Sequence, residues 1–385
     1  MKPDRRGPGW NALPGLPATA LKACAALLVS SGLGALVIAL HGITGSGATT
    51  RDFPPFINMW IRWDAGWYQG IAEHGYSFSS TVQSSAAYFP LYPLAIHALV
   101  WAGANPFIAG IVLTIAFGLA TFCLFWLWAK ELTDPATATE ATQLFLLWPF
   151  AFYLYGAVYS DALFIALALG AFLFIERGKL LPAVLLGALA TATRPVGPAL
   201  VLGLLVRQLE LRRRAGTPVT VKDFAPLLCA AGMASYMFFL YVKFGDPLAF
   251  MKAQGAWRQE PGWSSLFKIP FLQRVFHKGS YGDLILPAFH LILAVGFLAL
   301  AVPTRKLLGL GYAIYVVAVI GLPLLVSRDF IGLGRYCMAA FPCFVTLALR
   351  LQDQHRAQAR KVWIVASALL LAVMVSEFAI GHYVS

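Results

Sequence analysis

Charge is what this sequence has least of. Only 12% of its 385 residues are Asp, Glu, Lys or Arg, about half the share carried by a soluble domain. A chain of this length folded in water needs a charged shell, and too few charges are present to build one. With lipid as the outer solvent the need disappears, and a mean hydropathy of +0.72 fits that setting. Cysteine is sparse as well. Cys24, Cys123, Cys229, Cys337 and Cys343 lie in or beside apolar stretches with no CxxC pair, which excludes a disulfide framework and a zinc ribbon. No HExxH, glycine-rich phosphate loop or EF-hand pattern occurs, and the seven histidines are scattered; no metal site is expected. No repeat of fixed period and no low-complexity tract is found, which weighs against a transporter built from inverted repeats.

Acidic residues are outnumbered 17 to 29 by Lys and Arg, a formal charge of +12. Taken alone, that excess suits a nucleic acid. Its placement does not, because the cations cluster at the ends of apolar runs, the pattern that orients membrane spans. Several runs reach or approach the roughly 20 residues that cross a bilayer: 18–40, 106–129, 141–159, 161–175, 224–242, 285–302, 307–326, 336–349 and 361–380, with shorter ones at 87–104, 180–193 and 196–206. Lys2, Arg5, Arg6 and Lys22 put a tail of residues 1–17 in the cytoplasm, and the runs at 176–179, 207–214, 304–306 and 350–361 join it there. Parity then leaves 42–104 as a first extracytoplasmic loop and 243–284 as another. It requires 87–104 not to cross, and it breaks 180–208 into two short helices at Pro195, since proline disfavours helix at the residue before it. The prediction is one all-α, multi-pass domain over 1–385 in the plasma membrane. The rival threading, with 87–104 a full span and 180–208 a single one, puts Asp161 on the cytoplasmic side.

Polar residues that interrupt such a chain are functional candidates by default. After the first run comes NMWIRWDAGWYQGIAEHGYSF. Read as a helix over 58–75, it lines up Trp60, Trp63, Asp64, Trp67, Tyr68 and Ile71 on one face, with Arg62, Gln69 and Glu73 opposite. That is the pattern of an interfacial amphipathic helix. Asp64 is the anomaly in the aromatic stripe. Desolvation there raises a carboxyl above its ordinary value, toward that of a useful general base. Asp161, between two apolar runs, fits either a functional carboxylate or a helix cap. Arg194, at the Pro195 break, suits a phosphate or carboxylate, with Asp161 as the possible internal partner. Arg335 fits a site or ordinary snorkelling.

The motifs then form a family pattern. RWDAGWYQGIAEHGY with YFPLYPL, followed by PFAFYLYGAVYSDALF, ATATRPVG, FGDPLAFMKAQGAW and GRYCMAAFPCF, resembles the PIG-V family of the GT-C superfamily, in the same order over about 60–345. The resemblance implies a GT-C glycosyltransferase fold with about 11 transmembrane helices, interfacial helices in the first extracytoplasmic loop, and a site facing away from the cytoplasm. It implies transfer of a sugar, typically mannose, from a polyprenyl-phosphate-linked donor to a lipid, glycan or protein acceptor, with Asp64 as catalytic base and no cofactor beyond the lipid-linked donor. Arg62, Trp63, Tyr68, Asp161, Arg194, Asp246, Lys252, Trp257, Arg335 and Tyr336 are then the expected substrate contacts. One departure stands out: the family usually has Glu where this chain has Asp161. A pentosyltransferase of arabinofuranosyl type and a lipid or solute transporter are the alternatives.

Overall fold

The computed structural model describes residues 15–45, 53–257, 262–278, 282–352 and 356–384. The expected cytoplasmic tail 1–17 lies almost wholly outside them, as do residues 353–355 of the last basic run.

The described chain is a helical bundle whose helices run between two ends. α1 (Gly15–His41) leads to a short helix α2 (Pro55–Asn58), then α3 (Ala65–His74) and α4 (Leu91–Trp101). α5 (Pro106–Leu132) runs back through the bundle. Its start is set by Asn105, whose side chain accepts from Phe107 N and Ile108 N, with Pro106 in the first turn. α6 (Pro135–Leu146) starts the same way on Asp134 and Pro135. α7 (Asp161–Glu176), α8 (Leu180–Thr191) and α9 (Gly197–Arg214) follow, then a 3₁₀ stretch, Val221–Ala230, that continues into α10 (Ala231–Phe244). Gly245, at φ +75°, ends α10 in the left-handed conformation that glycine adopts without strain. Short helices α11 (Ala249–Gly255), α12 (Trp263–Leu266) and α13 (Ile269–Lys278) precede α14 (Gly282–Leu307) and α15 (Leu310–Val326). α16 (Leu333–Ala339), α17 (Pro342–Leu351) and α18 (Ala357–Ala379) complete the chain.

Five of these segments are long and apolar enough to cross a bilayer: Gly15–His41, Pro106–Leu132, Val221–Phe244, Leu284–Leu307 and Ala357–Ala379. The others are shorter or broken. At 11 residues α4 is about 17 Å long, too short to span. It lies against α3, with Tyr68 edge-on to Tyr92 at 4.9 Å and His97 Nδ1 2.6 Å from Ala72 O. The expected break between α8 and α9 is present at 192–196.

Three expectations fail. The run 336–349 divides between α16 and α17, with Pro342 opening the second helix. The run 141–159 is not one helix: α6 stops at Leu146, and residues 148–160, buried throughout, are irregular but for a 3₁₀ turn at Ala151–Leu154. Pro149 ends the helix, and the freed backbone finds partners inside the protein. Tyr155 hydroxyl donates to Leu146 O, Trp148 Nε1 to Gly334 O at 3.1 Å, and Val158 N to Trp60 O at 3.2 Å. Irregular backbone at this depth is tolerated because no lipid touches it. Nor is 58–75 a single helix. The chain turns at 59–63, Trp63 takes φ +52°, and α3 starts only after Asp64.

The basic helix ends gather at one end of the bundle. Arg207 pairs with Glu176 at 2.6 Å, Arg177 with Glu131 at 2.7 Å, Arg212 with Asp223 at 2.8 Å and Arg360 with Glu140 at 3.6 Å. The starts of α7 and α9 lie at the opposite end, with the first loop.

Candidate active site

At that opposite end seven chain segments line a cavity of about 130 Å³, walled chiefly by Asp64, Tyr88, Arg194, Trp257, Arg335 and Tyr336. That is below the roughly 300–1,000 Å³ of common ligand pockets, so it admits the reacting end of a molecule and leaves the remainder outside.

Asp64 sits at the head of α3 without capping it. Its backbone N–H donates to Tyr159 hydroxyl at 3.3 Å, and its carboxylate accepts from Tyr88 hydroxyl at 3.1 Å. One side of the residue opens on the cavity, and the rest is enclosed by aromatic rings. Trp67 and Trp257 meet at 5.3 Å, and both lie within 6 Å of Tyr88. Burial raises the Asp64 carboxyl above its ordinary value, and the nearby Arg335 charge opposes that rise without cancelling it. Tyr68 hydroxyl donates to Ser160 Oγ at 3.0 Å on the same wall.

Asp161 is the first residue of α7 and is only 1% exposed. It does not cap the helix. One carboxylate oxygen pairs with Arg194 and the other with Arg335 Nη2 at 2.6 Å. Arg194 also lies 5.1 Å from the Tyr336 ring, and Arg335 lies 4.5 Å from the rings of both Tyr153 and Tyr159. Arg335 is therefore not snorkelling. Its Nε is buried without a hydrogen-bond partner among the described residues. Two guanidiniums share one carboxylate, so the triad carries a net positive charge beside the cavity, across from Asp64. A base on one wall and an anion-binding pair on another can serve a displacement at a carbon whose leaving group is anionic.

Five expected substrate contacts do not line the cavity, Asp161 among them, since it is buried behind the two arginines. Arg62 is fully buried beneath the loop: it donates to Asn58 O at 2.7 Å, Ile61 O at 2.9 Å and Ala379 O at 2.6 Å, so it is a structural tie. A helix running on from α3 would put it on the polar face, but the backbone at 59–63 is not helical. Trp63 turns away, edge-on to Tyr383 at 5.1 Å. Asp246 and Lys252 pair with each other at 2.6 Å on the outside of the second loop. Tyr88, Ser160, Thr193, Gln254 and Tyr383 line the cavity but were not singled out from sequence. Tyr88 opens the YFPLYPL motif and was the one within reach, whereas Tyr383 lies beyond every motif.

Over 96% of its length the chain shares its fold with the crystal structure of ArnT from Cupriavidus metallidurans bound to undecaprenyl phosphate. The TM-score is 0.52, 76% of that chain is covered, and 12% of residues are identical. The protein is thus an all-helical membrane protein of the GT-C glycosyltransferase fold. Residues 52–212, which carry Asp64, Asp161 and Arg194, match the family described as Mannosyltransferase (PIG-V). Over 149 residues the chain is 35% identical to GPI alpha-1,6-mannosyltransferase 2 of Homo sapiens and, equally, of Cricetulus griseus. The match takes in 35% of this chain and 29% of each relative. In this segment the protein is similar to the PIG-V mannosyltransferases.

Proposed function

We propose that the protein is an integral membrane glycosyltransferase that moves a sugar, mannose by its family resemblance, from a polyprenyl-phosphate-linked donor to an acceptor hydroxyl with inversion. The observation that carries the reading is the pairing within one cavity of a carboxylate with no ion-pair partner among the described residues, Asp64, with two guanidiniums that share a single counter-charge. The acceptor oxygen attacks the anomeric carbon, its proton passes to Asp64, and the bond from that carbon to the donor phosphate oxygen breaks. Arg194 and Arg335 hold the departing phosphate, which needs no general acid. Asp161 orients the two arginines and does not contact the sugar. The undecaprenyl phosphate in the ArnT crystal supports the lipid-linked donor by analogy of fold.

The reading invokes no metal. Both oxygens of Asp161 already pair with guanidiniums, and Asp64 with phenol neighbours is a poor donor set for a hard divalent cation. The cavity lies at the end of the bundle away from the basic helix ends, which supports an extracytoplasmic site in the plasma membrane.

Turnover of radiolabelled polyprenyl-phosphate mannose by purified protein tests the proposal, with wild type set against Asp64→Asn. The variant keeps shape and hydrogen bonding but accepts no proton, so kcat should fall about 10²–10⁴-fold with donor binding little changed. A well-folded Asp64→Asn protein with wild-type turnover ends the assignment.

A further inference from the structure

The carboxylate and the cations come from chain segments far apart in sequence, and one short stretch ties both in place. Residues 379–384, the last residue of α18 and the five after it, are bonded on two sides. On the Asp64 side, Arg62 Nε and Nη2 donate to Ala379 O at 3.1 and 2.6 Å, and Trp63 Nε1 donates to His382 O at 3.3 Å. The Trp63 ring meets Tyr383 edge-on, and Tyr383 itself lines the cavity. Trp63 needs such restraint, because φ +52° is strained for a bulky residue and persists only where surroundings impose it. On the Arg335 side, His290 bridges. Its Nδ1 accepts from Gly334 N at 2.9 Å, which leaves the ring proton on Nε2 to donate to Val384 O at 3.3 Å. The residue before Asp64 and the residue before Arg335 are thus both fastened to the same six residues. Thr44 N and Gly45 N, at the exit of α1, donate to Ile380 O at 3.0 and 2.8 Å and fix that stretch in turn.

We infer that the segment 379–384 is a brace that sets the separation of Asp64 and Arg335 across the cavity, with Tyr383 and Trp63 as positioning residues. The inference rests on the glycosyl-transfer reading for its effect on turnover, but the brace itself can be read without turnover. Tyr383→Ala removes the ring that backs Trp63. Expected are a fall in kcat of roughly 10- to 100-fold, the effect of about an ångström of misplacement, and a KM for polyprenyl-phosphate mannose that hardly moves. Arg335, Arg194, Asp161, Tyr88, Tyr68 and Tyr159 still surround Asp64 in this variant. Water admitted by the lost ring should therefore shift the acid limb of the pH profile downward. Tyr383→Phe, which keeps the ring contact, should recover most of the turnover. Trp63→Phe, which loses the bond to His382 O and keeps a smaller ring toward Tyr383, is the milder second variant should Tyr383→Ala fold poorly.

Amide hydrogen exchange supplies the independent reading. Peptides covering 61–68 and 330–340 should both exchange faster in Tyr383→Ala, although the second contains no neighbour of the mutated ring in sequence. If exchange rises in neither peptide, or only in the first, the brace is refuted whatever the turnover shows. If Asp64→Asn is inactive while Tyr383→Ala and Trp63→Phe match wild type, the brace fails and the catalytic reading stands. If Asp64→Asn is fully active, the catalytic reading fails and exchange alone judges the brace.

Discussion

Replacing Asp161 by Asn should damage the protein far more than replacing Asp64 by Asn, although only Asp64 is proposed to take part in chemistry. Asp161 exposes 2% of its side chain and holds two guanidiniums that expose 9% and 11% of theirs. The amide has the same shape and no charge, so both arginines remain enclosed without a counter-ion. Breaking a buried pair from one side costs about 3–5 kcal/mol. The stacking of Arg194 on Tyr336 and of Arg335 on Tyr153 and Tyr159 is common to both proteins and leaves that difference unchanged. Against a typical stability of about 5–15 kcal/mol, the loss is a large fraction. Thermal unfolding in detergent, followed by loss of monodispersity, should show a clear drop for Asp161→Asn and almost none for Asp64→Asn. Asp161→Glu restores the charge one methylene further out and should stay folded with reduced turnover. Adding Arg335→Met to Asp161→Asn removes one stranded cation and should not lower the midpoint further. An Asp161→Asn protein with wild-type midpoint and turnover would show that the carboxylate does not hold the arginines.

Three further outcomes follow from single contacts. Tyr88→Phe deletes a hydrogen bond that favours the charged form of Asp64. The Asp64 pKa should therefore rise further, and the acid limb of the kcat profile should move to higher pH; a downward shift contradicts the assignment of that limb. Gly118→Ala puts a Cβ into the carbonyl of Leu154, backbone that cannot yield. Overpacking of this kind costs about 1–3 kcal/mol, to be read as a lowered unfolding midpoint, and an unchanged midpoint removes the packing argument for α5 against 151–154. In a Cys-free background, a single cysteine at position 215 should react with impermeant maleimide only from the cytoplasm. One at position 82 should react only from outside, and the reverse pattern overturns the orientation.

Much of this site was readable from the chain, for reasons that differ by residue. Asp64, Asp161, Arg194 and Arg335 stand out because a charge among apolar neighbours is costly without a partner. Their grouping was not readable, since Asp161 and Arg335 are 174 positions apart and no local period links them. Arg62 was misplaced by a rule applied across a break. The helical face holds only while the backbone is helical, and Trp63 in the left-handed region ends that one residue after Arg62. The run 141–159 reads as a span by hydropathy because burial in protein and burial in lipid select the same side chains. Pro149 was the available sign that a helix could not continue. Tyr383 carried no signal, because its importance comes from a contact across 320 residues with Trp63.

The helix that starts with Asp161 has a further property. Along α7 every residue from Asp161 to Leu173 is buried by other parts of the protein, while in α1 only Thr19, Ala23, Ser30 and Gly34 are. The bilayer thus presses on an outer layer and not on the helix that anchors both arginines. Lipid chains of different length tilt or strain exposed helices to relieve mismatch, and that deformation has no direct route to α7. Turnover measured in nanodiscs of short- and long-chain lipids should accordingly vary little at saturating donor. A steep dependence on acyl-chain length would mean that the outer helices transmit membrane thickness to the cavity after all.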